Sequence, residues 1–529
     1  MVGILSFVGF TALVAIIAYW ATRKTDESSS DGYFLGGRSL TAGVIAGSVL
    51  LTNLSTEQIV GLNGQAFSEG ILVMAWETLA AIAIVITALF LLPRYLKGGL
   101  TTVPQFLERR YDKMTKTLVS ALFLSGYMII FLPIVLYSGG LALSTMFGVP
   151  EMLGVSENTA LWLSVWGIGI IGSIYAIFGG LKAVAVSDTV NAIGLLIGGL
   201  MIPVFGLMAI GDGGIINGLE VLVDSNPEKF NSIGGPDASV PFYTIFTGMM
   251  LVQLFYWGTN QAIIQRALAA KNLKEGQKGL MLAAFIKILG PIMVVLPGII
   301  AWHLFEGKLE NADQAYPALV NAVLPAPLIG FFAAVLFGAI LSSFNSALQS
   351  SVTLFGVDIY KQYFNQEATE RTVVKKGKQF GILLAILSMF IAPLIANAPM
   401  GLFGYLQEVN GAYSIPILTI VIVGYLTKRI PALAAKIAIF SGVGFYLIYL
   451  LLKYFVMEEG ALPHYLHVMA ILFVMNVIIM ILIGKWKPNP VAYIEDYTKQ
   501  VDIQPWKAVK PVGIAIAGLV IFIYIYFAQ

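Results

Sequence analysis

Apolar stretches of about 20 residues recur fourteen times along this chain of 529 residues. They run over 2–22, 40–68, 71–95, 117–146, 158–178, 188–211, 242–265, 280–304, 318–358, 379–398, 400–426, 431–452, 463–484 and 511–528. A helix of that length crosses the ~30 Å hydrocarbon core of a bilayer. Inside hydrocarbon each backbone N–H and C=O must find its partner within the chain, so such stretches fold as helices. The expected fold is all-α and integral to the membrane, with about fourteen transmembrane helices. The ninth stretch is too long for one straight crossing and is expected to begin with a loop-like lead-in around Pro325 and Pro327. In the first stretch Arg23 and Lys24 follow the apolar run instead of preceding it, which predicts a retained helix and not a signal peptide.

Charge sets the orientation. Loops after odd-numbered spans, with the adjoining helix ends, hold 27 of the 31 Lys and Arg residues. The opposite loops hold only Lys229, Lys308 and Lys453, while Lys287 lies within a span. The positive-inside rule then places both termini outside the cytoplasm, in a cell (plasma or inner) membrane. A missed or invented helix in mid-chain would scramble this split. Of all residues 58% are hydrophobic and 11% charged, against about 25% charged in soluble domains. The net charge of +2 gives no reason to expect nucleic acid. No enzyme is expected either: cysteine is absent, and His303, His464 and His467 all fall near span ends on the outer side.

Two spans are interrupted by polar residues. In the second, Thr52-Asn53-Leu54-Ser55-Thr56-Glu57-Gln58 sits between apolar flanks; in the seventh, Gln253, Tyr256, Trp257, Thr259, Asn260 and Gln261 lead to Gln265-Arg266. Irregular backbone at membrane depth is tolerated only where protein or a water-filled cavity supplies partners, and paired interruptions point to a transporter's binding site. Five spans separate them, as an inverted five-helix repeat would produce. The expected division is 1–39 as an additional helix, 40–212 and 213–427 as the two repeats, and 428–529 as three further helices.

Charged residues within the spans are functional candidates, because a charge at mid-bilayer costs about 3 kcal/mol or more. They are Glu57, Glu77, Lys287 and Glu408, with Asp188 at the inner edge of the sixth span. Glu77 and Lys287 each lie about two turns into the expected spans, beyond easy reach of an interface, so an ion pair at the solute is the favoured reading. Glu57 and Glu408 each adjoin a Gln that is an equally good ligand. In the ninth span Ser342-Ser343-Phe344-Asn345-Ser346 offers hydroxyls, which commonly bond their own backbone. Beside the free carbonyls of an unwound helix they would instead supply the hard oxygens that sodium requires.

The stretch Thr52 to Gly61, the run Gly179-Gly180-Leu181-Lys182-Ala183, and Tyr256-Trp257 through Gln265-Arg266 together resemble the solute:sodium symporter family. Within it they are most similar to the bacterial sodium/galactose and sodium/glucose cotransporters. The likeness extends from Gly32-Tyr33-Phe34-Leu35 to about Lys428. It implies a LeuT-like core of five-plus-five inverted repeats and sodium-driven alternating access, with sodium as coupling ion and no other cofactor. Carried over by position, the solute contacts are Gln58, Glu77, Gln253, Lys287 and Gln407. The gate is Tyr256 with Asn53 as its hydrogen-bond partner, together with the aromatic Phe403. Sodium is held by carbonyls of Leu51, Leu54 and Ala339 and hydroxyls of Ser342 and Ser343, and Asp188 is linked to its exit. The galactose-type pattern has Ser where this chain has Ala80 and Asn where it has Gln253. Both departures reshape hydrogen bonding around a polyol and count against galactose itself more than against sugars as a class.

The expected function is sodium-driven symport of a small neutral sugar across the bilayer. Gln58, Glu77, Gln253, Lys287 and Gln407 form a mixed donor and acceptor set whose formal charges cancel, which suits a neutral polyol. Symport of an inositol, an amino acid or a carboxylate is the alternative. A passive channel fits less well, because paired interruptions around an ion pair suit an occluding site.

Overall fold

The computed structural model describes residues 2–23, 29–309, 311–397, 402–458 and 460–528. Met1, Lys24 and the junction between the expected tenth and eleventh spans (398–401) lie outside the described residues. Among those described there is no β-strand, only one isolated bridge between Leu40 and Ala270.

Each of the fourteen expected spans is met by a helix or by two helices joined at a break. Among the described residues eleven helical runs are long and apolar enough to cross a membrane, with Ser6–Thr22 and Ala42–Asn53 as shorter apolar helices. The second span is the pair Ala42–Asn53 and Thr56–Glu69, and the seventh is the pair Gly248–Gly258 and Gln261–Leu268.

Several boundaries differ from expectation. The sixth span starts at Gly179 instead of 188, because the run Glu157–Ile210 stays helical and bends at Gly180 (φ 61, ψ −179). Only glycine adopts that conformation without strain, and a Cβ there would also press the Tyr33 ring at 3.3 Å. Tyr33 secures the bend by donating its hydroxyl proton to Ile177 O at 2.8 Å. The eighth span begins at Leu273, so Lys287 lies about four turns deep instead of two. Glu77 falls in the first turn of Ala75–Ile86, after a 3₁₀ turn at Gly70–Met74. The lead-in to the ninth span appears as helix Ala315–Val323, an extended Leu324 (φ −86, ψ 136) and a new helix from Ala326. Pro325 accounts for it, since a residue preceding proline avoids the α region.

The helices form two packed groups. The split second span, Ala75–Ile86, Gly248–Gly258 and Leu273–Val294 pack on one another; Leu132–Phe147, both halves of Glu157–Ile210, Ala326–Thr353 and Glu370–Ile391 make the other group. Ala42–Asn53 packs against both. Exposed side chains on the outer helices are apolar, such as Ile170, Ile174, Ile193, Ile197 and Ile478, whereas buried polar residues cluster at the two breaks. That is the pattern expected where the surrounding solvent is lipid.

Candidate functional site

The first break leaves carbonyls unbonded. Leu54 N closes the last turn on Leu50 O (2.8 Å), and Ser55, extended at φ −95 and ψ −177, turns its N–H back to Asn53 O (2.8 Å). The next helix takes over as Gln58 N and Ile59 N bond Ser55 O at 3.1 and 2.9 Å. The Leu51 and Leu54 carbonyls receive no backbone N–H among the described residues. The ninth span lies alongside: Ser343 Oγ donates to Thr52 O at 2.7 Å, and the Thr52 and Ser346 hydroxyls bond at 2.9 Å. A hydroxyl that donates its proton keeps lone pairs for a cation. Ser342 Oγ, one residue back, is buried and lies against the Asp188 carboxylate. The Ala339 carbonyl belongs to the same helix one turn earlier. Leu51, Leu54, Ala339, Ser342 and Ser343 therefore sit on the two elements that meet here.

The second break is narrower than its polar sequence suggests. Gln253, Tyr256 and Trp257 remain helical, and only Thr259 and Asn260 leave the helix. Thr259 N and Asn260 N both bond Phe255 O at 2.9 Å. Asn260 Oδ1 accepts Ala262 N (3.0 Å) and the Tyr127 hydroxyl (2.6 Å). Beyond it, Gln265 donates to Phe34 O (2.8 Å) and Thr353 Oγ1 (3.0 Å). Arg266, fully buried, donates to Ser48 Oγ, Ala262 O and Ser346 Oγ and faces Asp188, which itself accepts from Ser48 Oγ at 2.6 Å. The sequence marked Gln265-Arg266 only as a motif; the charge partnership with Asp188 spans 78 positions and had no local signal.

Between the breaks lies a narrow cavity. Asn53, Gln58, Gln253, Tyr256, Phe403 and Gln407 line it, joined by Glu57, Trp76 and Asn410. Glu77 and Lys287 do not line it; they stand one layer behind Gln58. Lys287 Nζ donates to both Glu77 oxygens at 2.6 and 2.7 Å with both side chains buried, and Gln58 Nε2 donates to Glu77 Oε1 at 2.7 Å. Gly290, one turn after Lys287, makes room for the carboxylate: a Cβ there would sit 2.2 Å from Glu77 Oε2. Lys287 Nζ also lies 5.5 Å from the Trp257 ring centroid. Trp257 Nε1 donates to Gln253 Oε1 (2.9 Å), and Gln253 Nε2 donates to Trp76 O (2.8 Å).

Tyr256 is half-buried, packs edge-on to Trp257 at 5.2 Å and lies beside Asn53, whose Oδ1 accepts no hydrogen bond among the described residues. Phe403 meets Trp76 edge-to-face at 5.1 Å and abuts Gly61, where a Cβ would fall 2.5 Å from the Phe403 Cβ. Ala80 is buried on the helix that carries Glu77. Glu57 accepts from Ser55 Oγ and faces the cavity. Glu408 turns away from it: Lys453 Nζ (2.6 Å), Tyr454 (2.7 Å) and Tyr449 (3.4 Å) bind its carboxylate to the twelfth span.

Two discontinuous helices, freed carbonyls beside serines and a cavity between the breaks are the pattern expected of an ion-coupled transporter. A family model described as the sodium:solute symporter family matches residues 33–442. The chain belongs to that family. It is a multi-pass, sodium-coupled solute symporter with the LeuT-like architecture. The symporter is 51% identical to "Uncharacterized symporter YidK" of Escherichia coli (strain K12) over 99% of this chain and 91% of that protein. It is 33% identical to the "Sodium/glucose cotransporter" of Vibrio parahaemolyticus over 84% of each. Among solved structures it resembles a substrate-bound, outward-open Na+-coupled sialic acid symporter, with TM-score 0.78, 18% identity, and coverage of 93% of this chain and 99% of that one. At that identity the likeness speaks for the fold alone.

Proposed function

We propose that the symporter takes up a neutral sugar of the glucose or galactose type. The observation that carries this reading is the composition of the cavity wall: three glutamine amides line it, and the nearby Lys287 is neutralised by two hydrogen bonds to Glu77. A carboxylate solute would need an unpaired cation at the wall, and Lys287 and Arg266 both face acidic partners. Aromatic faces at Tyr256, Trp257 and Phe403 suit the apolar side of a pyranose. The likeness to a sodium/glucose cotransporter supports the same reading. An inositol satisfies the same chemistry and is the second candidate.

In this reading Gln58, Gln253 and Gln407 contact the solute, and Glu77 with Lys287 holds Gln58 in place and polarises it. Sodium binds the carbonyls of Leu51, Leu54 and Ala339 and the hydroxyls of Ser342 and Ser343, with Asp188 beside its inner exit. Tyr256, with Asn53, closes the inner gate, and Phe403 belongs to the cover on the other side. Residues 40–212 and 213–427 act as the inverted repeats, with 1–39 and 428–529 appended, and both termini lie outside the cytoplasm. One sodium per cycle carries one charge, about 2.3 kcal/mol per 100 mV. That sustains roughly 40-fold accumulation of a neutral solute.

The test is uptake into proteoliposomes on an imposed sodium gradient, screened over hexoses, pentoses, inositols, proline and a carboxylate. Uphill accumulation of a hexose is the expected result. Accumulation of proline or the carboxylate alone would overturn the sugar assignment, and flux that never exceeds equilibrium would mark a channel.

A further inference from the structure

Trp76 carries the one side-chain nitrogen of the cavity wall that is buried and without any acceptor among the described residues. The contrast with Trp257 on the same wall is instructive, because that indole N–H is satisfied by Gln253 Oε1 at 2.9 Å. A buried N–H with no partner is costly to leave unmade, so its presence in a ligand cavity points to a partner that arrives with the ligand. Trp76 has little freedom to find one elsewhere. Its carbonyl is held by Gln253 Nε2, its ring is set edge-to-face against Phe403, and its residue opens the helix that positions Glu77.

The other polar groups of the wall are mostly amides, which offer a donor and an acceptor alike. One hydrogen of Gln58 Nε2 goes to Glu77 and one of Gln253 Nε2 to Trp76 O. Acceptors are present as well: the Glu57 carboxylate faces the cavity, and Asn53 Oδ1 is buried and accepts no hydrogen bond among the described residues. A hydroxyl group suits such a wall, since it donates its proton to one side and accepts through a lone pair on the other. An indole N–H can only donate, and so it reads an acceptor lone pair and nothing else.

We propose that Trp76 Nε1 donates a hydrogen bond to one hydroxyl of the transported polyol, and that this contact is a determinant of which polyol is accepted. The inference rests on the polyol reading of the cavity. An isolated hydroxyl discriminated in this way contributes strongly to specificity, because the analogue lacking it leaves the indole unpaired again.

The experiment uses the full-length protein in proteoliposomes, with D-glucose, D-galactose and myo-inositol and their monodeoxy analogues as probes. Trp76→Phe keeps an aromatic ring against Phe403 and removes the N–H. For the solute that wild type transports, Trp76→Phe should raise half-saturation about tenfold, the size of one hydrogen bond, with sodium half-saturation unchanged. One deoxy analogue should be about tenfold weaker in wild type yet equal to its parent in Trp76→Phe. Replacing Trp76 by benzothienylalanine, which keeps the bicyclic shape and exchanges N–H for sulfur, should reproduce both results even if Trp76→Phe inserts poorly. Unchanged half-saturation in the benzothienyl protein, or a deoxy penalty that survives it, overturns the Trp76 contact while leaving the polyol reading intact. Failure of wild type to accumulate any of the three probes or another sugar overturns the polyol reading, and this inference with it.

Discussion

The two helix breaks differ in what they leave over. At the first, among the described residues, the Leu51 and Leu54 carbonyls receive no backbone N–H and no side chain caps the new helix at Thr56. At the second, Asn260 caps the new helix, Tyr127 braces the cap, and Phe255 O accepts both amide protons of the break. The first break is an open socket for a cation and the second a sealed bend that carries Tyr256, Gln265 and Arg266. Sequence polarity alone does not separate these roles; the destination of each backbone hydrogen bond does.

The largest effect is expected at the charge pair that stands behind Gln58 and joins helices Ala75–Ile86 and Leu273–Val294. Glu77→Gln or Lys287→Met leaves its partner buried and uncompensated, at a cost of about 3–5 kcal/mol. Each variant should insert in the membrane and lose solute binding by about 100-fold or more, measured by sodium-dependent uptake and thermal stability in detergent. Wild-type affinity in either would detach the pair from the solute. The double variant should recover stability over either single one.

Sodium sharpens the comparison next. Ser343→Ala should raise half-saturating sodium about tenfold, whereas Asn260→Ala should leave it unchanged and lower stability by about 1 kcal/mol, the usual worth of an N-cap. Equal sodium dependence in wild type and Ser343→Ala would empty the proposed socket. A sodium shift in Asn260→Ala would mean that the second break also takes part in ion binding.

The smallest binding effect is expected at the gate. Tyr256→Phe retains the ring beside the cavity and should keep solute affinity within about threefold, since stacking is worth ~0.5–1.5 kcal/mol. It should nevertheless accumulate solute poorly, because the lost hydroxyl loosens the contact with Asn53. Tyr256→Ala should lose both properties, and normal accumulation by it would remove Tyr256 from the gate.

Much of this molecule is legible in the chain because bilayer thickness imposes a length on every crossing. Apolar runs therefore gave fourteen spans, and polar residues inside two of them located the cavity. Where the reading slipped, a local signal had two meanings. Lys182 behind the double glycine reads as a loop charge, yet the helix continues through the bend at Gly180. Gln253 and Tyr256 read as part of an interruption, yet they point polar groups into a cavity from an intact helix. Trp76 carried no signal, because an aromatic in an apolar run looks lipid-facing until its neighbours are known. Glu408 could not be told from the adjoining Gln407 as a ligand, because Lys453, which neutralises Glu408, stands 45 residues away.

Gly290 sets a trap for anyone engineering a sturdier version of this transporter. Replacing glycine by alanine inside a helix ordinarily gains about 1 kcal/mol, so a campaign for heat resistance would favour it. At 290 the added methyl would enter the space of the Glu77 carboxylate, 2.2 Å from its oxygen. Selection for endurance and selection for uptake should therefore part company at this position. A library sorted on each property in turn would reveal the cavity's hidden support without any knowledge of the solute.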